Sequence, residues 1–214
     1  DLVVVLDRSG SMAGDKIENA RMAAQNFISR LRNGDILSVY AYDDTVMTVF
    51  GPSVLEPASR ELVTTRINSL QPGGSTNIYG GLVAAQQALS TAPASHPIRR
   101  TILISDGLAN VGPSSPEEIG MIGARGTDMG IQVTTIGVGM DYDERLMLTV
   151  AMRGAGRFYH LAEPSQMANI LAQELDLMNR TVATGAFLEI IPTAGVQILG
   201  AEGIEVRHQG QNVV

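Results

Sequence analysis

Along the chain, short unbroken apolar runs alternate with longer stretches in which apolar residues return every three or four positions. Leu2-Val3-Val4-Val5-Leu6 is apolar throughout and rich in valine, the pattern of a central strand covered on both faces. Ile17, Ala20, Ala24, Phe27, Ile28 and Leu31 then share one helical face. Asp15 followed by Glu18 reads as a capping box opening that helix, and Asn33-Gly34 as its stop. Residues 36–42 form a second strand. Asp43-Asp44 turns the chain into a third, 46–50, close enough in sequence to pair with it antiparallel as a hairpin at a sheet edge. Pro57 starts a helix to about residue 70, Gln71-Pro72-Gly73-Gly74 breaks it, and Ile78, Leu82, Ala85 and Leu89 mark the next.

The alternation continues through residue 180. Residues 98–104 form an apolar strand ending at Ser105-Asp106-Gly107. Ser115-Pro116-Glu117-Glu118 supplies an N-cap, a proline at the first helical position and acidic residues suited to the helix dipole, opening a helix to about residue 129. A strand over 131–138, a short helix over 143–152, a strand over 157–161 and a helix over 164–180 follow, the last with Met167, Ile170, Leu171, Leu175 and Met178 inward. Strands and helices in this order predict an α/β fold. Its central sheet is doubly wound and mostly parallel, with one antiparallel edge strand, helices on both faces and right-handed crossovers. From residue 182 the pattern changes to short strand-like runs at 187–191, 196–199 and 204–207, separated by Pro192, Gly195, Gly200 and Gly203. The chain is therefore expected to divide into a main domain over 1–181 and a β-rich appendage over 182–214. Three short strands are too few to close a sandwich alone. The favoured arrangement is a split β-domain whose other strands precede Asp1 in a longer protein; packing of the appendage on the main domain is the alternative.

At 214 residues the chain is long enough to bury ~70% of its unfolded surface. The net charge of -7, with Lys16 the only lysine and the arginines dispersed, argues against nucleic-acid binding, which needs a positive patch, and suits cation binding. Without cysteine there is no disulfide framework and no thiolate metal site. The longest apolar runs are strand-sized, well short of the ~20 residues of a spanning helix. His96, His160 and His208 lack metal-ligand spacing and read as structural or surface residues. The methionines read as gap-filling core. Asp141 and Asp143 read as turn and cap residues, and Asp43 and Asp44 as a solvated hairpin turn, with tuning of a site on the same predicted face as the alternative. Gly137-Val138-Gly139 lacks the further glycine of a dinucleotide fingerprint.

Doubly wound sheets bind ligands beyond the carboxyl ends of their strands, where the strand order reverses. The small oxygen donors of this chain fall there: Asp7, Ser9 and Ser11 directly after the first strand, Asp106 after the strand at 98–104, and Thr76 in a loop able to reach the same edge. Singly, Ser9 and Ser11 are ordinary turn or cap residues, and Asp106-Gly107 an ordinary turn. Together, two carboxylates and three hydroxyls make a hard-oxygen set suited to Mg²⁺, Mn²⁺ or Ca²⁺ rather than zinc or copper.

Asp7-Arg8-Ser9-Gly10-Ser11 with Thr76 and Asp106 resembles the metal-ion-dependent adhesion site (MIDAS) of von Willebrand factor A (VWA) domains, with every motif position filled. The surrounding loops are similar too: Gly73-Gly74-Ser75-Thr76-Asn77-Ile78, Ile104-Ser105-Asp106-Gly107, Gly137-Val138-Gly139 and Gly154-Ala155-Gly156-Arg157-Phe158, so that the likeness extends over about residues 1–180. The resemblance implies that Ser9, Ser11 and Thr76 ligate the ion directly while Asp7 and Asp106 act mainly through water. It implies a protein-binding module for adhesion or assembly, not an enzyme. In such a module a bound Mg²⁺, with Mn²⁺ or Ca²⁺ as substitutes, coordinates an Asp or Glu of a partner protein. An extracytoplasmic or cell-surface location, a bacterial origin and further domains in a longer parent are the favoured context. Two other readings compete. One is a structural VWA module whose ion never meets a partner. The other is a haloacid-dehalogenase-like phosphatase with Asp7 as nucleophile and Asp106 on Mg²⁺; against it, Ser9 stands where that family places its acid/base aspartate, and no later lysine exists.

Overall fold

The computed structural model describes residues 1–181, 191–193, 196, 208–209 and 212–213. By chain contacts it falls into two units, Asp1–Val182 and Ala183–Val214. The first is built on a sheet of β1 (Leu2–Asp7), β2 (Ile36–Tyr42), β3 (Val46–Val54), β4 (Arg99–Ser105), β5 (Ile131–Val138) and β6 (Phe158–Leu161), in the spatial order β3-β2-β1-β4-β5-β6. All neighbours run parallel except β2 and β3, which pair antiparallel at the edge. The order reverses between β1 and β4, where Leu6 lies beside Ile104. Asp7 and Asp106 thus leave the sheet side by side at its switch point.

Among the described residues six α-helices cover both faces: α1 (Asp15–Arg30), α2 (Pro57–Asn68), α3 (Ile78–Ser90), α4 (Pro116–Asp128), α5 (Glu144–Arg153) and α6 (Met167–Arg180). The alternation of side chains along a strand assigns the faces. Leu2, Val4 and Leu6 join a core with Phe27 and Ile28 of α1, Val63 and Ile67 of α2, and Leu171 and Leu175 of α6. Val3 and Val5 point the other way, into a core with Leu82 of α3, Ile119 of α4 and Val150 of α5. With both faces buried, β1 has no polar side, which is why its first five residues read as one apolar run.

Several local expectations are corrected. No Asp15–Glu18 capping box forms: the N-cap of α1 is Gly14, at φ 79° with no side-chain cap, and Glu18 pairs instead with Arg21 at 2.8 Å. The turn Gly10–Met12 brings the chain into the helix through a left-handed residue, so Asp15 is already inside the first turn. β3 runs on to Val54 through register shifts opposite Leu37–Tyr40, a bulged edge that its apolar pattern does not announce. Met12, Met147, Met167 and Met178 are core, but Met22, Met47, Met121, Met129, Met140 and Met152 are exposed. Glu174, on the inward face of α6, is fully buried.

Gly154 and Gly156 are required where α5 returns to the sheet. A Cβ on Gly156 would lie 2.1 Å from the Val133 carbonyl oxygen, and one on Gly154 2.7 Å from Val133 Cβ. Backbone against backbone has nowhere to yield. Gly156→Ala is expected to destabilise the fold by at least ~1–3 kcal/mol, read as a lower denaturation midpoint; an unchanged midpoint would disprove this close approach.

In the second unit, β7 (His208–Gln209) and β8 (Asn212–Val213) pair antiparallel. Apart from Ile191 and Val196, the strands expected over 187–191, 196–199 and 204–207 lie outside the described residues.

Candidate metal centre

Asp7 ends β1 and is completely buried. Its Oδ1 accepts the Ser9 amide at 2.8 Å, and its Oδ2 accepts hydroxyls from Ser105 at 2.5 Å and Tyr42 at 3.2 Å. Burial pushes the Asp7 carboxyl above the ordinary carboxylate range; the nearby Asp106 charge adds to this, and the bonds from Ser105 and Ser9 oppose it. Burial likewise raises the Tyr42 phenol well above its usual value, helped by the Asp7 charge, so Tyr42 remains a donor.

The turn after β1 lifts Ser9 and Ser11 beside this carboxylate. Ser9 Oγ lies 3.1 Å from Ser11 Oγ, and Ser11 Oγ donates to Asp106 Oδ1 at 2.7 Å. Asp106 is also fully buried, and its other oxygen accepts the Lys16 ammonium at 2.5 Å. Thr76 arrives from the loop before α3. A Cβ placed on Gly107 would stand 3.1 Å from Thr76 Oγ1 and 3.4 Å from Ser11 Oγ, so both hydroxyls flank Gly107 closely. Asp7, Ser9, Ser11, Thr76 and Asp106 therefore gather at the switch point from three separate loops.

The loop carrying Thr76 is pinned from two sides. Asn110, in the segment after Asp106, accepts the Thr76 amide at 2.8 Å on Oδ1 and donates its own amide to the Thr76 carbonyl at 3.1 Å. On the other side Asp43 forms an ion pair with Arg8 and receives Thr45 N and Oγ1 at 2.9 and 3.1 Å. The Asp43 carbonyl accepts Asn77 N, and Asp44 Oδ1 accepts Ser75 N at 2.6 Å. The expectation of a solvated hairpin turn is thus wrong for Asp43, which is buried because the Thr76 loop packs over it. Asp44 is exposed but also holds that loop. Gly74, at φ 69°, allows this packing: a Cβ there would lie 3.0 Å from Asp43 Cβ.

Ser105, Tyr42, Asn110, Asp43 and Lys16 all support the cluster; of these the placement along the sequence offers Asp43 alone, as the alternative to its turn reading. Lys16 had a signal, as the only lysine, just after the Asp7–Ser11 loop. Two other expectations hold locally: Asp143 Oδ1 caps α5 by accepting Leu146 N at 2.9 Å, and His160 Nδ1 meets Tyr142 OH at 2.6 Å, a structural contact.

Among the described residues no three His, Cys, Asp or Glu side chains form a metal-binding group. Any ion here is consequently held by hydroxyls beside the two carboxylates. Adjacent ligands of an octahedral ion at ~2.1 Å stand ~3.0 Å apart. The Ser9 and Ser11 hydroxyls, 3.1 Å apart, match that spacing, and Asp106 stands behind Ser11 through the 2.7 Å hydrogen bond. The donors present fit a small hard cation.

Comparison with known proteins extends this picture. The profile of the von Willebrand factor type A domain matches residues 1–173. The uncharacterized protein YfbK of Escherichia coli (strain K12) is 30% identical over 187 residues, a match covering 86% of this chain and 32% of that protein. The chain thus spans about a third of this relative. Among solved structures, a von Willebrand factor type A protein from Catenulispora acidiphila superposes with a TM-score of 0.74 at 21% identity, over 81% of this chain and 41% of that one. Proximal thread matrix protein 1 of the mussel byssus, solved with a zinc-occupied MIDAS motif, superposes with a TM-score of 0.66 at 22% identity, over 83% of this chain and 45% of that one.

Proposed function

The chain belongs to the von Willebrand factor type A domain family, a family of protein-interaction and adhesion modules of which some are metal-dependent, and from that premise we propose that it binds a partner protein through a divalent cation held by Asp7, Ser9, Ser11, Thr76 and Asp106. The observation that carries this reading is the convergence, from three loops, of the Ser9, Ser11 and Thr76 hydroxyls beside two fully buried carboxylates. Mg²⁺ is the proposed ion, with Mn²⁺ or Ca²⁺ as substitutes, because every donor is a hard oxygen. Zinc occupies the motif in the mussel structure, but the donors here include no nitrogen or sulfur that would favour it.

Three hydroxyls leave such an ion electrophilic and fill half of an octahedron, and a carboxylate from outside adds a charged ligand. The proposed ligand is therefore an Asp or Glu side chain on another protein, and the module is a binder, not an enzyme. Residues 1–181 carry the site, with 182–214 as an appendage, and the module is proposed to work within a longer protein, as its partial match to its relative suggests. No described helix is long and apolar enough to cross a membrane.

A direct test is retention of a peptide with one central aspartate on Mn²⁺-loaded protein. Excess chelator is expected to abolish retention. Thr76→Ala is expected to weaken it about tenfold, ~1.4 kcal/mol, with little change in melting, since the backbone bonds to Asn110 remain. Equal retention in excess chelator, or by Thr76→Ala and Ser9→Ala alike, would place the binding surface elsewhere.

A further inference from the structure

We propose that Lys16 sets the charge of this site: its ammonium keeps the ion-loaded centre net positive, weakening the hold on the ion while strengthening the pull on an acidic ligand. This rests on the metal-dependent reading above. Asp7 and Asp106 are both fully buried, and their two negative charges balance a divalent cation. A loaded site made of those groups alone would be neutral overall and would offer a carboxylate ligand only the local field of the ion. Lys16 adds one positive charge. Its Nζ is bonded to Asp106 Oδ2 at 2.5 Å, while Ser11 occupies Oδ1. The ammonium therefore sits on the carboxylate oxygen turned away from the hydroxyl donors and can stay there with the ion in place.

Two further observations place this lysine by design of the site instead of by needs of the helix. Lys16 lies in the first turn of α1, among Asp15 and Glu18, at the end of the helix where the macrodipole disfavours a cation. Its side chain is only 24% exposed. A Cβ added to Gly139, a residue at φ 79°, would lie 3.4 Å from Lys16 Cε and 3.5 Å from Nζ. The amide of Gly139 is in turn fixed to the Leu161 carbonyl at 2.8 Å. The ammonium is thus held between Asp106 and the loop after β5, partly out of water, where Coulomb interactions are stronger than at an open surface.

A charge-setting residue and a merely structural one differ in the sign of their effects. Removing the charge in Lys16→Met should tighten ion binding and loosen acidic-ligand binding, each by about tenfold, equivalent to ~1.4 kcal/mol. Loss of structural support would loosen both. Lys16→Arg keeps the charge and should leave both near the wild-type values. The experiment is titration of Mn²⁺ into each protein, followed by water-proton relaxation, and then titration of the loaded protein with the single-aspartate peptide and its asparagine counterpart. Melting in chelator checks that each variant is folded. Opposite shifts in Lys16→Met, restored in Lys16→Arg, are the expected result. Shifts in the same direction, or none, with the wild type binding both Mn²⁺ and the aspartate peptide, would overturn the role of Lys16 alone. A wild type that takes up no Mn²⁺ would overturn the metal-centre reading and this inference together. If the wild type binds Mn²⁺ but not the peptide, the acidic-ligand reading fails, and unchanged Mn²⁺ affinity in Lys16→Met would still overturn this one.

Discussion

Glu174→Ala is expected to destabilise the protein by ~3–5 kcal/mol, the magnitude for stripping one partner from a buried ion pair. Glu174 is fully buried on α6, yet it reaches three strands. Its Oε2 accepts Arg100 Nη1 of β4 at 2.9 Å and Thr134 Oγ1 of β5 at 2.8 Å; its Oε1 accepts Tyr159 OH of β6 at 2.7 Å, with Arg157 at 3.7 Å. Burial, then the hydrogen bond to Glu174, pushes the Tyr159 phenol up to about 12, so it remains a donor across the working pH range. Truncating Glu174 leaves the buried Arg100 guanidinium with Gln132 as its remaining side-chain partner. The penalty comes from that stranded charge more than from the lost attraction. Replacing both members, as Arg100→Leu with Glu174→Leu, is therefore expected to recover much of the loss. Urea denaturation of the two single variants and the double variant measures this. A Glu174→Ala protein within ~0.5 kcal/mol of wild type, inside the range of ordinary surface changes, would show that the network does not hold α6 to the sheet.

The second large effect concerns Asp7. When free Mg²⁺ stands about a hundredfold above its dissociation constant, the proposed binding to the native state is expected to add ~2.7 kcal/mol of stability. Asp7→Asn is expected to lose that gain almost entirely. The same variant, melted in chelator, should be about as stable as wild type or slightly more so. A buried carboxylate without a counter-cation is costly, and the amide can still accept the Ser9 N–H through its oxygen while Ser105 and Tyr42 hydroxyls turn to accept from its nitrogen. Melting temperatures with Mg²⁺ and with chelator separate the two effects. An undiminished metal response in Asp7→Asn would remove Asp7 from the ligand set.

By itself the sequence determined the order of the elements, the doubly wound sheet and the oxygen donors that meet at its edge. Each of these is written in a short-range code. The valine run of β1 reports burial on both faces, the recurrence of Ile17, Ala24 and Phe27 reports a helix facing the sheet, and a parallel α/β sheet forces loops after β1 and β4 onto one edge. The supporting polar contacts carried no such signal. Ser105 meets Asp7 across 98 residues and Lys16 meets Asp106 across 90. A polar side chain has no period that names its partner, and burial reversed the local expectation at Asp43. Only the tertiary structure decided these, because strand order places β1 beside β4 and brings α6 across β4, β5 and β6. Once water is excluded there, each charge must find its counterpart from a distant part of the chain.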